Sequence, residues 1–343
     1  MANQTIFVTG ATGYIAKHIL VKLLNAGFNV VGSVRNLDRG DEVRAAVSPH
    51  LTNSDDLDAR LRFVALDLGS DEGWDTALTG ADALLHTASP FPLTMPKDPE
   101  KIIRPAVDGA LRALKAAKAA GINRVVLTSS VVAVTSKETA NDAQELTEED
   151  WSDLDHPTMT PYTTSKTLAE RAAWDFVKTE APEIALTVIN PAFVQGAPLD
   201  QNYGTSLKVV ERLLVGKDPM LPKFGFTVVD VKDVAEMHLR ALTHAGTAGK
   251  RFLAADRFLW FSEMAEILKA AHPNRKIVTR EAPSFLVRFL AWFDPAIRSI
   301  VPSLGKKHVV SNARAREVME MQFTDAADAV RSSGAFLIDN DLV

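Results

Sequence analysis

From residue 5 onward, short runs of β-branched and aliphatic residues alternate with longer stretches of helical period, and this alternation constrains the fold most. Thr5–Thr9 reads as a strand, and Tyr14–Asn25 as a helix with Ile15, Ile19, Leu20, Leu23 and Leu24 on one face. Asn29–Val34, residues 61–66 and residues 83–87 read as further strands. Alanine-rich 106–120 reads as a helix stopped by Gly121, followed by a strand at 124–129. Residues 162–179 form a helix pattern ending before Pro182, and 185–190 is another strand. Strands apolar along nearly their whole length must be covered on both faces, which a parallel sheet flanked by helices provides.

After residue 190 the rhythm fails. Pro191, Pro198, Pro219 and Pro222, with Gly196, Gly204, Gly216 and Gly225, mark loops and short elements. Residues 231–242 and Phe261–Ala271 read as helices, and 251–255 as a strand that returns to the sheet. The expected fold is α/β: a Rossmann-type doubly wound parallel sheet of about seven strands, with a smaller mixed C-terminal substrate lobe. Residues 1–190, with return segments around 226–256, are expected to form the dinucleotide-binding domain, and 191–343 mainly the lobe. Polar, charged 38–58 reads as a surface excursion.

The first strand runs into Val8-Thr9-Gly10-Ala11-Thr12-Gly13-Tyr14-Ile15-Ala16. Glycines at 10 and 13 permit a tight turn, and small Ala16 lets the helix approach the sheet. Free N–H groups at that helix start suit a pyrophosphate, so Gly10, Thr12, Gly13, Tyr14 and Ile15 are candidate cofactor contacts. A dinucleotide site that prefers NAD usually has an acid at the end of the second strand; here stand Ser33-Val34-Arg35-Asn36, then Arg39. Guanidinium groups match a 2′-phosphate, so the expected cofactor is NADPH/NADP+; the alternative is two solvated surface arginines. Asp67 and Leu68 follow the third strand and could flank adenine, although Asp67 could equally cap a turn. Thr87, Ala88 and Ser89 end the fourth, towards the pyrophosphate and nicotinamide ribose.

Tyr162 and Lys166 are four residues apart and share a helix face. At about 4 Å and an effective dielectric of about 20, an ammonium stabilises a phenolate by roughly 4 kcal/mol. That equals about three pK units and would draw the phenol towards neutrality. The arrangement suggests carbonyl reduction, with Tyr162 as general acid, Lys166 lowering its pKa and holding the ribose, and Ser130 hydrogen-bonded to the same substrate oxygen. Phe91, Pro92, Tyr203, Phe224 and Phe226 are candidates for an apolar substrate wall, or for core. The substrate would be a small or medium-sized aryl or alkyl carbonyl compound.

Composition narrows the rest. The absence of cysteine excludes disulfides, thiolate metal sites and cysteine nucleophiles. The eight histidines show no close ligand pairing, so no metal is expected. A net charge of -5 argues against general nucleic-acid or lipid affinity. No apolar run suggests a membrane span, and Met1-Ala2-Asn3-Gln4 leads straight into a strand, so a cytoplasmic protein, monomer or homodimer, is expected. The apolar segment 284–293 around Arg288 is expected to pack onto the lobe, with a cover over the substrate mouth or a subunit contact as alternatives.

With Gly10-x-x-Gly13-x-x-Ala16, Thr128-Ser129-Ser130 and Tyr162-x-x-x-Lys166 in order, the chain resembles the extended short-chain dehydrogenase/reductases. More narrowly it resembles the branch of dihydroflavonol reductases and fungal methylglyoxal and ketone reductases. The narrower signals are Val34-Arg35, His86-Thr87-Ala88-Ser89-Pro90-Phe91, Ser165-Lys166-Thr167-Leu168-Ala169-Glu170 and Asp230-Val231-x-Asp233-Val234-Ala235. The resemblance implies Ser130 rather than Ser129 as the catalytic serine. It adds Thr128 to the cofactor contacts and implies that Pro191, Ala192, Phe193 and Val194 line the nicotinamide. Gln195-Gly196-Ala197 and segment 284–304 depart from the branch's pattern. Competing classes are a nucleotide-sugar epimerase or dehydratase, a sterol-type dehydrogenase and a non-enzymatic NADP(H) sensor.

Overall fold

The structure is a computed structural model describing residues 4–89, 98–141 and 144–343. Its strands are β1 (Thr5–Thr9), β2 (Asn29–Val34), β3 (Leu61–Ala65), β4 (Ala83–His86), β5 (Arg124–Thr128) and β6 (Glu145–Leu146). They continue as β7 (Ala185–Pro191), β8 (Phe193–Gln195), β9 (Gly225–Asp230), β10 (Lys250–Ala254), β11 (Arg257–Trp260) and β12 (Val309–Val310). Seven of them form one sheet in the order β10-β7-β5-β4-β1-β2-β3, all neighbours parallel. This is the expected doubly wound sheet.

Alternate strand residues feed opposite faces. Ile6, Val8 and Val30 join Ile19, Leu20 and Leu23 of helix Tyr14–Asn25 and Val234 and Met237 of helix Val231–Thr243 on one side. Phe7, Leu84 and Val125 join Ala113 and Leu114 of helix Glu100–Ala119 and Ala173 and Phe176 of helix Pro161–Thr179 on the other. Helix Glu100–Ala119 begins earlier than its alanine run, because it continues through Pro105. The supposed excursion after β2 contains helix Arg39–Val47, which buries Gly40, Val43, Ala46 and Val47 beneath a charged outer face.

The chain leaves the main sheet after β7, builds β8 and β9, and returns as β10 beside β7. A second sheet, β11-β9-β8, is mixed: β8 and β9 run parallel, β9 and β11 antiparallel. Helices Leu207–Val215, Phe261–Ala271 and Ala326–Asp339 close a separate apolar core around Val210, Leu214, Met264, Leu268 and Val330.

Segment 284–293 departs from expectation. Helix Ser284–Leu290 turns Val287 inward, and Ala291 after it is also buried. Phe285, Phe289, Trp292 and Phe293 are 75%, 57%, 77% and 73% exposed. The aromatic side chains occupy the opposite helical face from Val287 and Ala291, so the run packs inward only through those two residues and leaves its aromatic face open.

Candidate active site

The turn between β1 and the first helix is built around Gly10, whose φ of 69° lies in the left-handed region. A Cβ there would sit 2.9 Å from the Cβ of Ala88, so the glycine also permits close approach of β4's end. Gly10 N–H donates to Ser33 Oγ at 3.0 Å and Ala11 N–H to Ser33 O at 2.9 Å, tying the turn to β2. The helix starts at Gly13 without a side-chain cap. Gly13 is exposed, and Thr12 and Ile15 keep open surface, so the first turn of the helix is accessible from solvent. Tyr14 differs: its phenol is buried and donates to Gly196 O at 2.7 Å, fastening the helix to the lobe. Burial, with Asp230 nearby, holds that phenol well above the usual tyrosine range.

Arg35 is exposed at the end of β2, with no side-chain partner among the described residues, whereas Arg39 pairs with Glu42 at 3.0 Å. Asp67 Oδ1 accepts from Gly69 N–H at 2.7 Å, the turn-forming alternative for this residue. Leu68 packs towards Gly109. Beyond β4, Thr87 N–H and Ala88 N–H both donate to buried Thr9 Oγ1 at 3.0 Å, and His86 Nδ1 lies 2.9 Å from the same oxygen. Thr9 thus joins the ends of β1 and β4. Ser89 is partly open beside them, and Phe91 and Pro92 lie outside the described residues.

Across the cleft, Thr160 caps helix Pro161–Thr179 by accepting from Thr163 N–H at 3.2 Å, and Pro161 fixes its first turn. Its first turn presents Tyr162, and the next turn Lys166. The Tyr162 phenol is hydrogen-bonded to Ser130, which follows β5. Each side chain keeps some surface at the cleft, but its polar end lies deep in the protein. Burial raises the Tyr162 phenol above its ordinary value, partly offset by the Ser130 bond. Burial lowers Lys166 to about 8, against the opposing pull of Glu170. The expected drop in the phenol's pKa is therefore not met by the chain itself, because burial outweighs the lowering by the Ser130 bond. Lys166 also lies near His86, whose imidazole is lowered to about 3 by burial and that ammonium.

Ser129 and Ser130 point to different partners. Ser130 Oγ reaches Pro191 O at 3.4 Å and Tyr162, whereas Ser129 Oγ donates to Glu170 Oε2 at 2.5 Å. Glu170, one turn beyond Lys166, was not singled out from the sequence. It is fully buried, pairs with Arg251 Nε at 2.5 Å, and accepts from Asn190 Nδ2 at 2.7 Å. Asn190 also donates to Ser130 O at 3.1 Å, and the Arg251 guanidinium lies 3.8 Å over the Trp151 ring. One carboxylate therefore links the reactive helix, the serine turn, β7 and β10. The available signal was its place at i+4 from Lys166, in register with the tyrosine and lysine.

Thr128 turns its hydroxyl to His238 Nε2 at 2.7 Å. Pro191 ends β7, Ala192 follows it, and buried Val194 lies in β8. Phe193 stacks on Phe226 at 4.3 Å, and Phe224 meets Phe226 edge-on at 5.0 Å, so these candidates form one aromatic cluster with Phe261. Tyr203 stands apart, T-shaped against Phe336 at 6.2 Å and near Glu211. No group of metal-ligating side chains occurs among the described residues.

Residues 6–255 match the model of the NAD dependent epimerase/dehydratase family. Among curated proteins, the chain is 36% identical over 281 residues to cinnamoyl-CoA reductase 1 of Arabidopsis thaliana, covering 81% of this chain and 78% of that one. It is 29% identical over 355 residues to the putative NADPH-dependent methylglyoxal reductase of Candida albicans, covering 98% and 99%. Among solved structures, Candida albicans Gre2 in complex with NADPH superposes with a TM-score of 0.79 at 26% identity, covering 98% and 99%.

Proposed function

The chain belongs to the NAD dependent epimerase/dehydratase family of extended short-chain dehydrogenase/reductases, and from that premise we propose that it is an NADPH-dependent carbonyl reductase. Its substrates on this reading are small or medium-sized aldehydes and ketones with aryl or alkyl groups. The observation that carries the reading is the buried Ser130–Tyr162 hydrogen bond with Lys166 one helical turn away.

The residues present fit a phosphorylated dinucleotide. The uncapped helix start at Gly13 offers N–H donors to phosphate, and exposed Arg35 stands at the end of β2. The chemistry the cofactor supplies is hydride for the carbonyl carbon. Tyr162 then gives its proton to the developing alkoxide. A phenol raised by burial holds that proton throughout the neutral range, so the acid is in its donating form before substrate arrives. Ser130 hydrogen-bonds the same oxygen and fixes the phenol's direction, and Lys166 places a positive charge beside the site. The aromatic cluster of Phe193, Phe224 and Phe226 supports an apolar substrate wall.

The test is NADPH oxidation with a panel of aromatic aldehydes, α-diketones, β-keto esters and flavonoid ketones. Consumption should be stoichiometric with carbonyl added, whereas an epimerase or dehydratase would return its cofactor unchanged. Tyr162→Phe should lower turnover by about 10²- to 10⁴-fold while leaving NADPH binding intact. Near-normal turnover in that variant would remove the assignment.

A further inference from the structure

We propose that the outward aromatic face of helix Ser284–Leu290, with the residues that follow it, docks this protein onto an anionic lipid surface. Among the described residues, the exposed large apolar side chains Leu37, Leu154 and Val215 stand singly, but Phe285, Phe289, Leu290, Trp292 and Phe293 fall within 285–293. The positions 285, 289, 292 and 293 lie on one helical stripe. That stripe points away from the protein, because Val287 and Ala291 take the inward side. Soluble proteins seldom leave a contiguous apolar patch of this kind without a partner.

The patch is held in place. Ala282 N–H donates to Leu221 O, and Gly305 N–H to Lys223 O, each at 2.7 Å, so both ends of the excursion are tied to one strip of the lobe. The Arg298 guanidinium donates to Ala291 O at 2.9 Å and Trp292 O at 3.0 Å, closing the end of the aromatic run.

Charge selects the occupant. Between 280 and 307 stand exposed Arg280, Arg288, Arg298, Lys306 and Lys307, against Glu281 and Asp294. This stretch is net basic on a chain whose total is -5. Phe and Trp on the outer face, flanked by arginine and lysine, suit the boundary between anionic headgroups and acyl chains. A second copy of the chain fits less well. Two-fold pairing of the stripe would bring Arg288 near its own counterpart, a like-charge contact in a desolvated interface. Both anchors lie on the strip leading to Phe224 and Phe226, so docking would set that aromatic cluster close to the lipid.

The experiment is flotation of the whole protein with vesicles of phosphatidylcholine alone, and with vesicles containing about 30% phosphatidylserine. The protein should float with the anionic vesicles and remain behind with the neutral ones. Phe285→Ser combined with Trp292→Ser should lower that partition by at least about tenfold. Arg288→Glu should weaken it specifically on the anionic vesicles. These positions are exposed, and an unchanged melting temperature confirms that each variant is folded. Absence of flotation with either vesicle, equal flotation with both, or full flotation of the aromatic variant would overturn the proposal. So would sedimentation showing that the aromatic substitutions dissolve a dimer, since the occupant would then be a second copy.

Discussion

Glu170 is the residue whose chemistry reaches furthest beyond its own position. Its charge opposes the effect of burial on Lys166, which settles at about 8. A lysine carries its charge below its pKa, so an activity that needs the ammonium is present at neutral pH and declines as pH rises through about 8. Glu170→Gln removes the carboxylate that holds this value up, so the alkaline limb of the kcat/KM profile should move to lower pH. The same substitution removes the carboxylate paired with Arg251, which is almost wholly buried, and should cost about 3 kcal/mol of stability, read by chemical denaturation. At the far end of the cleft, Arg35 and Arg39 are distinguishable. Arg35 has no side-chain partner among the described residues, while Arg39 already pairs with Glu42. Arg35→Ala should therefore weaken NADPH binding by about tenfold or more, and by more than Arg39→Ala does, with NADH binding little changed in either. Equal effects on both cofactors would show that neither arginine reads the 2′-phosphate.

Elements set the limits within which such residues work. Gly10→Ala would force a left-handed backbone on a residue with a Cβ, costing about 1–2 kcal/mol, and would press that atom to 2.9 Å from Ala88. The variant should melt a few degrees lower and bind dinucleotide more weakly, because the turn and the β4 end must both shift. This turn and the main strands were legible in the sequence, because continuous apolar runs and a glycine pair before a helix are local signals. Helices Tyr14–Asn25 and Phe261–Ala271 match their sequence patterns residue for residue. Contacts between distant segments were not legible. Thr9 joins β1 to residues 86–88, and Glu170 is fixed by residues 129, 190 and 251, none of which periodicity can pair with it. Helix Ala326–Asp339 went unread because its inward face relies on small Ala326, Ala329 and Ser333 rather than on a strong aliphatic stripe. The outward turn of Phe285 and Trp292 was likewise hidden, since hydrophobicity alone predicts burial.

The whole molecule carries an acid sensitivity that belongs to no single element. His18 and His86 are lowered to about 3 and His238 to about 4, each chiefly by burial. The unfolded chain binds these protons near pH 6.5 and the folded chain only at lower pH, so stability falls as pH drops below about 6.5. At pH 5 each histidine contributes about 2 kcal/mol of destabilisation. Asp233 acts in the other direction, because burial raises it to about 6 and its penalty eases as it protonates, by about 1 kcal/mol between pH 7 and 5. For these four groups the three histidines outweigh Asp233, with a net loss on the order of several kcal/mol, a sizeable share of a typical folding free energy. Denaturation midpoints measured from pH 7 to 5 should fall steeply, and a flat profile would contradict the buried, neutral state of these imidazoles. The return of β10 to the outer side of β7 has a bearing on any attempt to divide the protein. A fragment ending near residue 190 would leave the backbone groups of Leu186 and Val188, which face β10, along an open rim. Such a rim invites another chain to add itself, so the severed half should gather into aggregates instead of persisting as a free nucleotide-binding unit.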